Sequence, residues 1–232
     1  MQNAVINTSV LIRRVTCLAF IFFISNATAQ QNDFGVWAGV SLKHKFSQRF
    51  SATLEEQIRL NQNAMAIAQY FTDASLEYSL SKKFKFAFGY RFINNFQQTY
   101  YSKRHRMYAD LSYKTKFEKF QFILRTRLQE QQKDIHSSEV GYIPDWYSRN
   151  KLTAKLDLTK KYMPYASAEM MYLIKAPNAT VNYIEKWRYT IGVEYEFNRE
   201  HSLDIYYLIQ RDRMINDPIT LYAVSIGYAY TF

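Results

Sequence analysis

Apolar side chains recur at every second position through nearly the whole chain from Phe34 onward, in stretches about ten residues long. Phe84, Phe86, Phe88, Tyr90 and Phe92 alternate with Lys85, Ala87, Gly89, Arg91 and Ile93. Phe120, Phe122, Leu124, Thr126 and Leu128 alternate with Gln121, Ile123, Arg125, Arg127 and Gln129. Tyr189, Ile191, Val193, Tyr195 and Phe197 do so with Arg188, Thr190, Gly192, Glu194 and Glu196. Period two with aromatic and β-branched enrichment specifies strands, and helical spacing fits none of these stretches. The alternation predicts strands over 34–46, 50–60, 69–80, 84–93, 105–116, 120–130, 147–158, 164–174, 184–197, 201–210 and 221–232. Short turns fall at 47–49, 81–83, 117–119, 159–163 and 198–200, and longer polar segments at 61–68, 94–104, 131–146, 175–183 and 211–220. The reading is an up-and-down meander with its turns at one end and its loops at the other.

Two architectures produce such a meander. A soluble barrel buries the apolar phase and wets the charged one, whereas a transmembrane barrel inverts them. The strands are long enough for a tilted bilayer crossing, which needs roughly 9–11 residues. Aromatic residues gather near strand ends, at Tyr100-Tyr101, Trp146-Tyr147, Tyr183 with Trp187, Tyr222, and Tyr228 with Tyr230, as interfacial girdles do. The last strand is apolar and ends on Phe232, which resembles the insertion signal of bacterial outer-membrane barrels. The expected fold is therefore all-β, a transmembrane antiparallel up-and-down β-barrel of 10–12 strands, with a soluble periplasmic ligand-binding barrel as the alternative. Parity stays open, because the eleven predicted stretches are odd in number while single-chain bacterial barrels are even. Glu56 falls in the apolar phase between Leu54 and Ile58, and a bulge beside Glu55 would be needed to turn it inward.

The first residues read as an address. Arg13-Arg14, the apolar run Val15–Ile24 and the small stretch Ala27-Thr28-Ala29 form a secretory leader cleaved after Ala29, leaving 30–232 as the barrel. The run is too short for a membrane anchor. Cys17, the one cysteine, lies within it, so disulfides, zinc–thiolate sites and cysteine nucleophiles are not expected in the mature protein. A mean hydropathy of −0.35 does not suit a bundle of membrane helices, and 17% aromatic residues does not suit disorder. Sec export to the outer membrane of a Gram-negative bacterium follows from leader and barrel together.

Several short motifs, taken in order, resemble a family of secreted Bacteroidota proteins known as domain of unknown function 2490. They are Asp33-Phe34-Gly35-Val36-Trp37, Gly89-Tyr90-Arg91-Phe92, Arg104-His105-Arg106, and Arg125 with Arg127. The similarity runs over about Asp33 to Phe232. It implies an outer-membrane-type barrel and no particular activity.

The phase opposite the apolar one is densely charged. A lumen ladder is expected from Lys85, Arg91, Arg106, Asp110, Arg125, Arg127, Arg149, Lys151, Asp157, Arg188, Glu77 and Glu194, and bases outnumber acids in that phase as a whole. Two readings follow: ion pairs that fill a narrow interior, and a solute pore that favours anions. A rim-located hydrolase acting on lipid or peptide is a further alternative. It would draw on His105 or on His136 in the longest loop, with Ser102 or Ser148, while His44 and His201 read as solvated turn residues. The chain has no G-x-S-x-G, H-E-x-x-H or P-loop motif. No catalytic residue, metal or cofactor is expected. Basic residues interleaved with apolar ones across strands argue against nucleic-acid binding and leave outer-membrane lipid as the expected partner, with no protein partner indicated.

Overall fold

The computed structural model describes residues 31–97, 99–133, 143–159, 161–177, 179, 181–213 and 218–232. The leader expected over 1–29 lies outside them. Eleven strands follow in chain order: β1 (Gln31–Lys45), β2 (Phe50–Asn61), β3 (Ala66–Ser79), β4 (Phe84–Gln97), β5 (Tyr100–Phe117), β6 (Phe120–Lys133), β7 (Asp145–Leu156), β8 (Tyr162–Lys175), β9 (Tyr183–Glu196), β10 (His201–Asp212) and β11 (Ile219–Thr231). Each of β2 to β10 is bonded to its two chain neighbours, and β11 returns to β1, so the sheet is a closed barrel.

With an odd count, β1 and β11 run the same way and the closing pair is parallel. The amide of Phe232 donates to the Lys43 carbonyl at 2.9 Å, and Lys45 donates to the Phe232 carbonyl at 2.9 Å. One residue bracketed by both neighbours of His44 is the parallel pattern.

Every predicted stretch is a strand, and most strands outrun the prediction, β4 and β5 the furthest. Of the segments expected as loops, 94–104 is largely β4 and β5, paired through Asn95 with Ser102 and Gln97 with Tyr100, and 66–68 belong to β3. Around Asn94-Asn95 and Ser102-Lys103 both phases are polar, so the alternation fades from the sequence although the backbone ladder continues.

The faces are inverted relative to a soluble protein. Outward-pointing Phe86, Phe88 and Ile191 are 44%, 51% and 65% exposed, while inward-pointing Asp73 and Arg127 are 4% and 6% exposed. An apolar outer band over a charged interior suits hydrocarbon outside and a polar lumen within. This removes the soluble-barrel alternative. Rings border the band at both ends. At the end of the short turns, His44 packs on Phe46 and Phe232 at 4.6 and 4.7 Å, and His201 on Tyr230 at 4.8 Å. At the loop end, Tyr101 meets Tyr70 and Phe96 at 5.6 and 5.2 Å. His44 and His201 are therefore members of a girdle and not solvated turn residues.

Glu56 has no bulge beside it and points outward, where its carboxylate accepts a bond from the Thr72 hydroxyl at 2.6 Å. Another outward polar group is similarly closed: Thr126 donates to Asn150 at 2.9 Å, and Asn150 donates to Ser148 at 3.2 Å. These outward polar side chains are thus bonded to one another, as a medium without water would require.

Four of the short turns use one device. Ser47, Ser81, Thr159 and Asn198 each place a side-chain oxygen on the backbone amides two and three residues ahead, at 2.8–3.2 Å. Such side-chain turns fix the reversal without glycine. At the other end Gln62, Asn63 and Ala64 are all left-handed, with φ of 55°, 57° and 63°. The Asp33 carboxylate holds that turn by accepting from the amides of Gln62 and Asn63 at 3.1 and 2.9 Å.

Gly89 is required by packing. It lies directly across from Tyr108, whose ring covers it, and a Cβ there would stand 2.3 Å from Tyr108 Cζ. Tyr108 cannot swing away freely, because its hydroxyl donates to Asp73 at 2.7 Å and the Arg127 guanidinium stacks on its ring at 3.5 Å. Gly89→Ala is expected to cost on the order of 1–3 kcal/mol of barrel stability. Urea unfolding in lipid vesicles measures this, and the combination with Tyr108→Ala should be less destabilising than the sum of the two single changes.

Candidate functional site: the charged lumen

Adjacent strands bring opposite charges level inside the barrel, where cross-strand neighbours interact directly. Asp73 faces Arg91, Asp110 faces Arg127, and Glu169 lies between Lys151 and Arg188. Arg127 grips Asp110 with two bonds of 2.6 and 2.7 Å, and Arg91 donates to Asp73 at 2.7 Å. Glu169 accepts from Arg149 at 2.7 Å and Arg125 at 2.9 Å, with Arg188 at 3.6 Å. Fork-shaped guanidiniums on buried carboxylates satisfy the geometry that such pairs need.

A second tier lies at the short-turn mouth. Glu77 accepts from Lys43 and Lys85 at 3.2 and 2.9 Å, Lys155 donates to Glu194 at 2.5 Å, and Lys116 pairs with Asp157. A third, at the loop end, joins Lys133 to Asp145 at 3.3 Å and Lys186 to Asp212 at 3.7 Å.

Between these tiers is an internal cavity of about 730 Å³, lined among the described residues by eleven Lys and Arg against seven Asp and Glu. Of the twelve ladder residues predicted from the sequence, nine line it: Glu77, Arg91, Arg106, Asp110, Arg125, Arg127, Arg149, Lys151 and Arg188. Lys85, Asp157 and Glu194 are in ion pairs at the mouth instead. Asp157 falls just beyond the end of β7, which stops at Leu156.

Three classes of lumen residue were not singled out from the sequence. Trp37, with Leu208, Leu221 and Ala223, makes a buried apolar cluster on the wall formed by β1, β10 and β11. Tyr108 and Tyr165 cover the inward glycines Gly89 and Gly192. Glutamines at 57, 69, 131 and 210 bond to arginines. All lie in the inward phase, so their facing was readable, while their role depends on register.

The hydrolase constellation is not brought together. Ser102 is buried in the inward phase, whereas His105 points outward with its ring 5.3 Å from Phe92 and its Nδ1 2.6 Å from the Tyr90 hydroxyl. Ser148 faces outward beside Asn150. His136 lies outside the described residues. Among the described residues no group of three or more His, Cys, Asp or Glu is placed to hold a metal ion.

An inverted barrel with an ion-paired interior is the architecture of a transmembrane β-barrel protein. The chain belongs to the family described as "Protein of unknown function (DUF2490)", whose model matches residues 34–219. Among solved structures, the translocator domain of autotransporter NalP from Neisseria meningitidis is similar at a TM-score of 0.49 and 12% identity, with 91% of each chain covered. No curated protein matches the chain.

Removing one partner of a buried pair leaves the other uncompensated, at a cost of roughly 3–5 kcal/mol. Arg127→Met should therefore destabilise the barrel strongly, and Arg127→Met combined with Asp110→Leu should recover most of the loss. Equilibrium unfolding of both variants in the same vesicles decides it.

Proposed function

We propose that the chain is an outer-membrane β-barrel of a Gram-negative bacterium, exported under the leader at 1–29, and that its lumen is a narrow pathway preferring anions. The ion-pair ladder keeps that lumen in shape. A Bacteroidota cell envelope is the setting that the family resemblance suggests, with outer-membrane lipid packed on the apolar band. The observation that carries the pathway reading is the excess of cations around the 730 Å³ cavity. Rings of one charge sign set selectivity in pores by attracting the opposite ion and repelling its own. The girdles at both ends and the inverted faces support the membrane setting.

Reconstitution in planar bilayers tests the reading. The expected result is a small single-channel conductance whose reversal potential in a salt gradient lies on the anion side. Silence, or a cation-side potential, contradicts it.

A further inference from the structure

Among the arginines that line the cavity, Arg91, Arg125, Arg127 and Arg149 are bonded to carboxylates, whereas three others are held chiefly by glutamines. Arg59 Nε donates to Gln57 at 2.7 Å and its Nη1 to Gln69 at 3.2 Å. Arg106 directs both Nε and Nη2 at Gln131 Oε1, at 3.1 and 2.5 Å. Arg188 Nε donates to Gln210 at 2.7 Å, while the nearest carboxylate oxygen, on Glu169, is 3.6 Å away and already engaged by Arg149. Arg59 and Arg106 pair with no carboxylate among the described residues.

A glutamine amide oxygen fixes the direction of a guanidinium as a glutamate would, yet leaves its charge in place. Such cations in a partly dehydrated interior are unfavourable alone and attract an anion strongly. The three project from β2, β5 and β9, so they approach the cavity from different walls. Trp37 lies between two of them, with Arg59 at 4.0 Å and Arg188 at 6.0 Å from its ring. All three are half-buried.

We propose that Arg59, Arg106 and Arg188 form a lumenal receptor site for a small multivalent oxyanion, a phosphate or a di- or tricarboxylate. Planar forked donors match those groups and discriminate against spherical halides. The site rests on the reading of the lumen as an anion pathway and gives that pathway a ligand class. The glutamines are positioning residues, each acting through its arginine.

The test uses the whole barrel in detergent micelles, with Trp146→Phe and Trp187→Phe so that Trp37 alone reports. Inorganic phosphate and citrate are each titrated against sodium chloride of matched ionic strength. A saturable change in Trp37 emission with phosphate or citrate and none with chloride is expected, and which of the two saturates identifies the headgroup chemistry. Arg106→Gln should weaken binding by about tenfold or more. Gln131→Glu supplies the missing carboxylate without removing the arginine, so it should weaken binding as much while the barrel stays folded by its heat-modifiable gel mobility. No saturation beyond chloride, or a folded Gln131→Glu barrel that binds as before, overturns the proposal. The two readings separate cleanly: a barrel that binds phosphate and conducts nothing keeps the site and loses the pathway, and one that conducts anions without saturable binding does the reverse.

Discussion

A backbone amide without a partner in hydrocarbon costs several kcal/mol, and this single penalty fixes much of the molecule. It forbids a free edge, so β1 and β11 must join whatever their direction. Eleven strands then force a parallel seam, seen where Phe232 is bracketed by Lys43 and Lys45. The same penalty explains why outward polar side chains are bonded to each other. Glu56 with Thr72, and Thr126 with Asn150, close their polarity within the sheet surface.

Once the apolar phase is committed outward, the opposite phase must fill the interior with whatever alternates with it. A charged interior needs its charges paired or hydrogen-bonded, and strand register supplies the pairs. Asp110 meets Arg127 and Asp73 meets Arg91 because those residues are level on adjacent strands. The tyrosines lock this arrangement from above. Tyr108 joins Asp73 to Arg127 while filling the space over Gly89, so glycine, aromatic ring and ion pair are one unit. This pairing leaves over Arg59 and Arg106, which glutamines hold instead.

Much of this was legible in the alternation itself. Which face each residue takes is a matter of odd and even positions, and it placed nine of twelve ladder residues on the cavity wall. Strand ends were less legible, because near Asn95 and Ser102 both faces are polar and the periodic signal vanishes while pairing persists. His44 and His201 were misplaced since sequence distance from a turn does not say that a ring will stack on Phe232 or Tyr230. The glutamine contacts needed register between strands, as where Arg59 meets Gln69 and Arg188 meets Gln210, which no local pattern encodes.

The direction in which the aromatic phase points can be measured without reference to any activity. In a Cys17→Ser background, which leaves the chain without thiols, single cysteines at Phe86 and Ile191, and separately at Arg91 and Thr190, would carry a fluorophore in vesicles containing acyl-brominated lipid. Quenching at Phe86 and Ile191 with none at Arg91 and Thr190 is the predicted result. Quenching at Arg91 and Thr190 instead, with Phe86 and Ile191 shielded, contradicts the account at its root.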